Sequence, residues 1–256
     1  MKRKVHTIAS GLAERIARWD GVEAILLGEA AESDIDDPYF TIEIDVYLRG
    51  APPDPATRRE LFPQAEAFET SPISPVDRFL VEQLPASVHY MDAAGVDRVI
   101  WRLSDRTWVF HEPGTTWFYR IARGEVLFQR GVWIEEARAQ LAAIPAELWT
   151  QIRLRAFAAA EHSLAELRAA TARSDALFFL VSSGRLVRSV ASFLFAVNRQ
   201  FEPPGRLLSE RLAGLKVIPD GLPGMLDNFL RPAPDISQAA RREIADLIVR
   251  SLIPLA

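Results

Sequence analysis

The first apolar positions, Ile8, Leu12, Ile16 and Trp19, recur every three or four residues, which predicts an amphipathic helix over 6–19 ended by Asp20-Gly21. The pattern then changes. Residues 22–27 (VEAILL) and 40–48 (FTIEIDVYL) are short and rich in β-branched and aromatic side chains, and they predict strands. In the second, Ile42, Ile44 and Val46 share one face and Glu43, Asp45 and Tyr47 the other, because a strand repeats every two residues. A proline-rich stretch over 49–75 follows. There Asp54-Pro55 and Ser74-Pro75 each read as an N-cap with a first-turn proline, predicting two short helices. SVHYM (87–91) predicts a third strand, DAAGVDRVIWRL (92–103) a helix with a strand over 96–103 as the alternative, and EVLFQRG (125–131) a short edge strand.

Beyond residue 131 the strand signals cease. WIEEARAQLAAI is followed by an alanine-rich run from Pro145 to Ala172, then by a helix capped at Ser174-Asp175 that reaches Gln200. Pro203-Pro204-Gly205 breaks that helix, and shorter helices are expected near 206–216 and 235–253. The expected fold class is therefore α+β. A mixed sheet with flanking helices occupies 1–115, and a helical bundle occupies 116–256.

Composition narrows the function. A hydrophobic share of 49% over 256 residues supplies a full core. The net charge of -4 gives no basic footprint for DNA or for an anionic membrane. The chain has no cysteine, which excludes disulfides, thiolate metal sites and cysteine nucleophiles and fits a reducing, cytoplasmic setting. No run reaches the roughly 18 uninterrupted apolar residues of a membrane span. The histidines are dispersed without metal-ligand spacing, and no nucleophile elbow, phosphate loop or dinucleotide fingerprint occurs.

One arrangement carries chemistry. Gly28 and Glu29 close the first predicted strand, residues 30–42 form a loop, and Glu43-Ile44-Asp45-Val46 opens the next strand. This resembles the signature of the nucleotidyltransferase fold shared with DNA polymerase β and the antibiotic nucleotidyltransferases. That signature is an apolar strand, Gly-Ser or Gly-Gly, a loop, then acid-apolar-acid-apolar. YRIARGEVLFQRGVWIEEARAQL (119–141) and FLFAVNRQFEPPGR (193–206) likewise resemble the helical domain of bacterial small-molecule relatives. The resemblance implies a nucleotidyltransferase-like sheet domain and transfer of a nucleoside monophosphate from a triphosphate to a small hydroxylated or amino-bearing acceptor. It also implies Mg²⁺ or Mn²⁺ held by Glu43 and Asp45, since paired carboxylates let a metal neutralise charge on phosphate oxygens. Gly28 and Glu29 would meet the nucleotide, as would Asn198, Arg199 and Arg206 in the second half.

The chain also departs from that signature. Glu29 stands where the family carries serine, and Glu32, Asp34, Asp36 and Asp37 follow with no Lys or Arg before Arg49. Such a loop repels a triphosphate and suits a cationic acceptor. The third carboxylate of the family would come from the next strand, where SVHYM supplies Ser87, His89 and Tyr90 and no carboxylate until Asp92; with the strand at 96–103 instead, the candidate is Asp97. These departures favour the alternative of a catalytically impaired protein that keeps the fold for binding or regulation.

Overall fold

The computed structural model describes residues 2–30, 37, 39–101, 115–231 and 236–256. These residues form two compact units. The first holds the described residues up to Trp101 together with Trp117–Ile144, and the second holds Thr115, Thr116 and Pro145–Ala256.

Unit one is built on a six-stranded mixed sheet. Its strands are β1 (Val22–Leu27), β2 (Ile42–Leu48), β3 (Glu66–Glu69), β4 (Val76–Val81), β5 (Leu84–Asp92) and β6 (Glu125–Gln129), in the spatial order β3-β4-β5-β2-β1-β6. Only β2 and β5 run parallel; the other neighbours are antiparallel. Helix α1 (Lys2–Ile16) buries Ile8, Leu12 and Ile16 in a core with Ile42, Ile44, Val46 and Leu48 of β2, so the alternation of β2 commits its apolar face to α1 and leaves Glu43, Asp45 and Tyr47 on the other side. Helices α2 (Pro55–Glu60), α3 (Ala93–Trp101), α4 (Thr116–Arg123) and α5 (Trp133–Ala142) complete the unit. The indole of Trp133 packs on Tyr47 with centroids 5.2 Å apart.

Several expectations are corrected here. The cap at Asp54 holds, its carboxylate accepting from the amides of Ala56 and Thr57. Ser74-Pro75 leads instead into β4, the middle strand of a β3-β4-β5 meander. The turn between β4 and β5 places Glu82 and Gln83 at φ 47 and 66, a two-residue connection of the kind normally signalled by Asn-Gly, so the hairpin carries no mark in the sequence. Residues 93–101 are helix, which rules out the alternative strand. The segment 117–144 belongs with the sheet rather than beyond a boundary at 115/116, because β6 draws its backbone hydrogen bonds from β1. Of the acidic loop, Glu32, Asp34 and Asp36 lie outside the described residues. Asp37 accepts the amide of Tyr39 at 2.8 Å.

Unit two is helical, with α6 (Ala146–Arg173), α7 (Ala176–Val197), α8 (Leu208–Ala213), α9 (Leu222–Leu230) and α10 (Gln238–Leu252). Ala156, Ala160, Leu164, Leu167 and Ala170 of α6 form a ridge at helical spacing against Leu186, Val190, Phe193 and Leu194 of α7, and the alanines let the helix axes approach. Asp175 is the N-cap of α7, accepting from the Phe178 amide, while Ser174 ends α6 in the left-handed region. Helix α7 is long and apolar enough to cross a membrane by length and composition, a test that core helices also meet, and one of its faces lies in this core. The sequence pattern had not marked α4 or α9.

Candidate functional site

β2 supplies Glu43 and Asp45, and its parallel neighbour β5 sets Ser87 opposite Glu43 and His89 opposite Asp45. Gly28 follows β1 and donates its amide to the Glu43 carbonyl at 2.8 Å. A Cβ at Gly28 would stand 3.0 Å from Glu43 Cβ. The neighbouring strand thus leaves little room for a side chain at Gly28, and does so at Glu43, the very residue whose carboxylate matters.

Helix α4 brings two consecutive side chains onto these groups. Arg120 grips Asp45 in a fork, Nε to Oδ2 at 2.6 Å and Nη2 to Oδ1 at 2.5 Å, and the same Nη2 lies 3.5 Å from Glu43 Oε2. Tyr119 donates its hydroxyl to Glu29 Oε2 at 2.5 Å. Arg138 of α5 fixes the end of α4 by donating to the carbonyls of Ile121 and Gly124. Close packing sets the approach of α4 to the sheet, since a Cβ at Gly124 would come within 3.0 Å of Leu26 Cβ on β1.

The two acids differ in environment. The Asp45 side chain is only 3% exposed and that of Glu43 is 41% exposed. Burial pushes the Asp45 carboxyl above its ordinary value, and the Arg120 guanidinium pulls it back only in part. Burial also pushes Glu43 upward, but there the hydrogen bond and charge of His89, helped by Arg120, outweigh it and hold the carboxyl below its ordinary value. Burial lowers Arg120, yet the two carboxylates more than offset it and hold it above its ordinary value. Burial and the charge of Asp45 push the Tyr47 hydroxyl well above its usual range.

His89 Nε2 lies 2.8 Å from Glu43 Oε2 and 3.0 Å from Ser87 Oγ. An ionised Glu43 needs a donor there, which assigns the proton to Nε2. His89 therefore stands on the strand from which a third carboxylate was expected. Asp97 has other partners, accepting from Trp133 Nε1 at 2.8 Å and from Arg49 at 3.3 Å, and Arg49 also pairs with Glu23. The structure thus joins Glu43 and Asp45 and places Asp97 in a separate network.

Asn198, Arg199 and Arg206 lie in the helical unit. Asn198 uses its side chain in full: its amide donates to the carbonyls of Leu194 and Val217, and its oxygen accepts from the amides of Lys216 and Val217. Arg199 sits at φ 52, the amide of Gln200 reaches the Phe195 carbonyl and that of Arg199 reaches Ala196, so the Asn-Arg pair closes α7 as a Schellman cap. Arg206 lies exposed in the 3₁₀ turn Gly205–Leu207.

Among the described residues no group of three or more His, Asp or Glu side chains is arranged to hold a metal by itself. Magnesium entering with a nucleotide takes only one or two carboxylates from the protein and the rest of its shell from phosphates and water. Glu43 and Asp45 already converge on one cationic nitrogen, that of Arg120. The pair fits a metal delivered with polyphosphate and does not fit a resident bare ion.

A family model described as a domain of unknown function (DUF4037) matches residues 115–205, from α4 with its Arg120 through the end of α7. No curated protein matches the chain. A solved structure similar to it is that of a nucleotidyltransferase-like protein from Exiguobacterium sibiricum 255-15, 14% identical, covering 95% of this chain and 73% of that one at a TM-score of 0.47.

Proposed function

We infer that the protein binds a nucleoside triphosphate with a divalent metal and transfers its nucleoside monophosphate to a small hydroxylated or amino-bearing acceptor. The observation that carries this reading is the convergence of Glu43 and Asp45 on a single cationic nitrogen, one residue pair away from the glycine that ends the preceding strand. Glu43 and Asp45 would hold the Mg²⁺ or Mn²⁺, which when bound supplies charge neutralisation at the transferring phosphate. Asp45 is fixed by burial and keeps the geometry, whereas Glu43 is open on its strand face. Glu29 adds negative charge beside the site and suits an acceptor carrying ammonium groups.

The test is incubation with each α-labelled nucleoside triphosphate, Mg²⁺ or Mn²⁺, and a panel of polyamine and amino-sugar acceptors. Labelled acceptor should form with wild type and be lost in Glu43→Gln and in Asp45→Asn. Product formed equally by all three proteins would overturn the assignment of the acids.

One observation favours a second reading, that of a fold kept for binding alone. His89 occupies the strand position expected of the third carboxylate, and Arg120 pairs with Asp45. Binding of Mg·ATP or Mg·GTP without turnover of any acceptor would select it.

A further inference from the structure

Glu29, Glu43 and Asp45 are all held by two consecutive side chains of one helix. Tyr119 donates to Glu29, and Arg120 spans Asp45 and Glu43. We propose that Tyr119 and Arg120 form a displaceable plug: without ligand they cover and neutralise the site, and when a nucleotide arrives with its metal the Arg120 guanidinium passes from Asp45 to the polyphosphate. The proposal rests on the metal-nucleotide reading and adds to it the residue that gates the site and then binds the phosphates.

Charge requires the first half. Asp45 is nearly unexposed and shares a strand face with Glu43, and a cation placed between the two carboxyl groups offsets their mutual repulsion and the cost of burying Asp45. Arg120 Nη2 occupies that position, with one oxygen of each acid within reach. A guanidinium and a divalent metal repel and seek the same oxygens, so occupancy by one excludes the other.

Geometry supports the second half. The backbone of α4 is immobilised: Phe118 and Ile121 are fully buried, and Arg138 ties down its last carbonyls. Release is therefore a rotation of long side chains about a fixed helix, not a movement of the helix. Arginine suits the handover because its planar fork matches phosphate as well as it matches carboxylate. Once moved, its charge also offsets the repulsion between Glu29 and the incoming phosphates, and the Tyr119 hydroxyl is free to donate to the same anion.

The test measures binding of two probes, Mn²⁺ alone and Mg·ATP, by calorimetric titration to wild type, Arg120→Ala and Tyr119→Phe. With the plug removed, Arg120→Ala should bind Mn²⁺ at least about tenfold tighter than wild type, because the acids lose their internal cation. It should bind Mg·ATP about tenfold or more weaker, because the phosphate loses its fork. Tyr119→Phe should leave Mn²⁺ unchanged and weaken Mg·ATP. Mn²⁺ affinity in Arg120→Ala equal to or below that of wild type would overturn the plug, and Mg·ATP affinity above that of wild type would overturn the handover. If the alanine variant does not fold, Arg120→Gln carries the same test, since it removes the cation and the charged fork while keeping much of the side chain's length and polarity, and the shifts should run in the same directions. Failure of the nucleotide reading looks different: neither Mg·ATP nor Mg·GTP then binds wild type, whatever Mn²⁺ does.

Discussion

Replacing Asp77 by alanine should destabilise the sheet unit more than any surface change in the chain. Asp77 is 0% exposed and Arg58 is 3% exposed. Asp77 accepts from the hydroxyls of Thr70 and Tyr90 at 2.5 and 2.7 Å, and its Oδ2 lies 3.1 Å from Arg58 Nε. That Nε–H is not well aligned for a hydrogen bond, so the contact is an ion pair; the Arg58 Nη atoms instead bond Thr70 Oγ1, Ser71 O and Pro53 O. The guanidinium also lies 5.1 Å above the Tyr90 ring. Removing Asp77 leaves a buried cation without its counter-charge, a change that costs about 3 to 5 kcal/mol. Against a total of roughly 5 to 15 kcal/mol for a domain, that removes about a fifth of the stability or more. In Arg58→Met/Asp77→Ala the unpaired charge is gone, and the double variant should be less damaged than the sum of the singles by about 2 to 3 kcal/mol. Because the chain has two units, urea melts alone need not be two-state. Hydrogen exchange at the Tyr90 amide, bonded to the Pro75 carbonyl at 2.8 Å, reports on this unit directly. An Asp77→Ala loss below about 1 kcal/mol, or strict additivity in the double variant, would refute the reasoning.

Three further outcomes are expected. Gly28→Ala should cost about 1 to 3 kcal/mol, because its methyl must displace the neighbouring strand at Glu43; thermal melts measure the cost, and Mg·ATP binding should fall with it. Asn198→Ala removes four side-chain hydrogen bonds from the 194–217 corner, and should cost about 1 to 3 kcal/mol in urea titrations with Mg·ATP affinity unaltered, since Asn198 is spent on the fold. Burial pushes the Glu202 carboxyl up, and Ser192 and Arg188 offset this only in part. Its fold therefore favours the protonated form, and stability should decline as pH rises from the ordinary carboxylate value to the raised one. Glu202→Gln should abolish that decline, being more stable than wild type at neutral pH and close to it in acid, as melting temperatures across that range would reveal.

The sequence by itself determined the elements whose physics is local. The two-residue period of 42–48 put Glu43 and Asp45 on one face and made the other apolar. The apolar spacings of α1, α6 and α7 announced those helices, and the glycine and acids marked the site through their order along the chain. The tertiary structure decided what surrounds those acids. Arg120 is 75 residues from Asp45, in a short helix that the apolar pattern did not announce, and only the antiparallel placement of β6 beside β1 carries it there. His89 stands opposite Asp45 because β5 runs parallel to β2, a pairing made across the intervening α2, β3 and β4 that no local pattern encodes. The β3-β4-β5 meander stayed hidden because its turn uses Glu82 and Gln83 in a left-handed conformation held by the flanking strands rather than preferred by the residues. Asn198 and Arg199 read alike as ligand or cap from their order alone. The hydrogen bonds that close α7 engage the Asn198 side chain and the Arg199 backbone, because a polar side chain is committed only when its partners arrive.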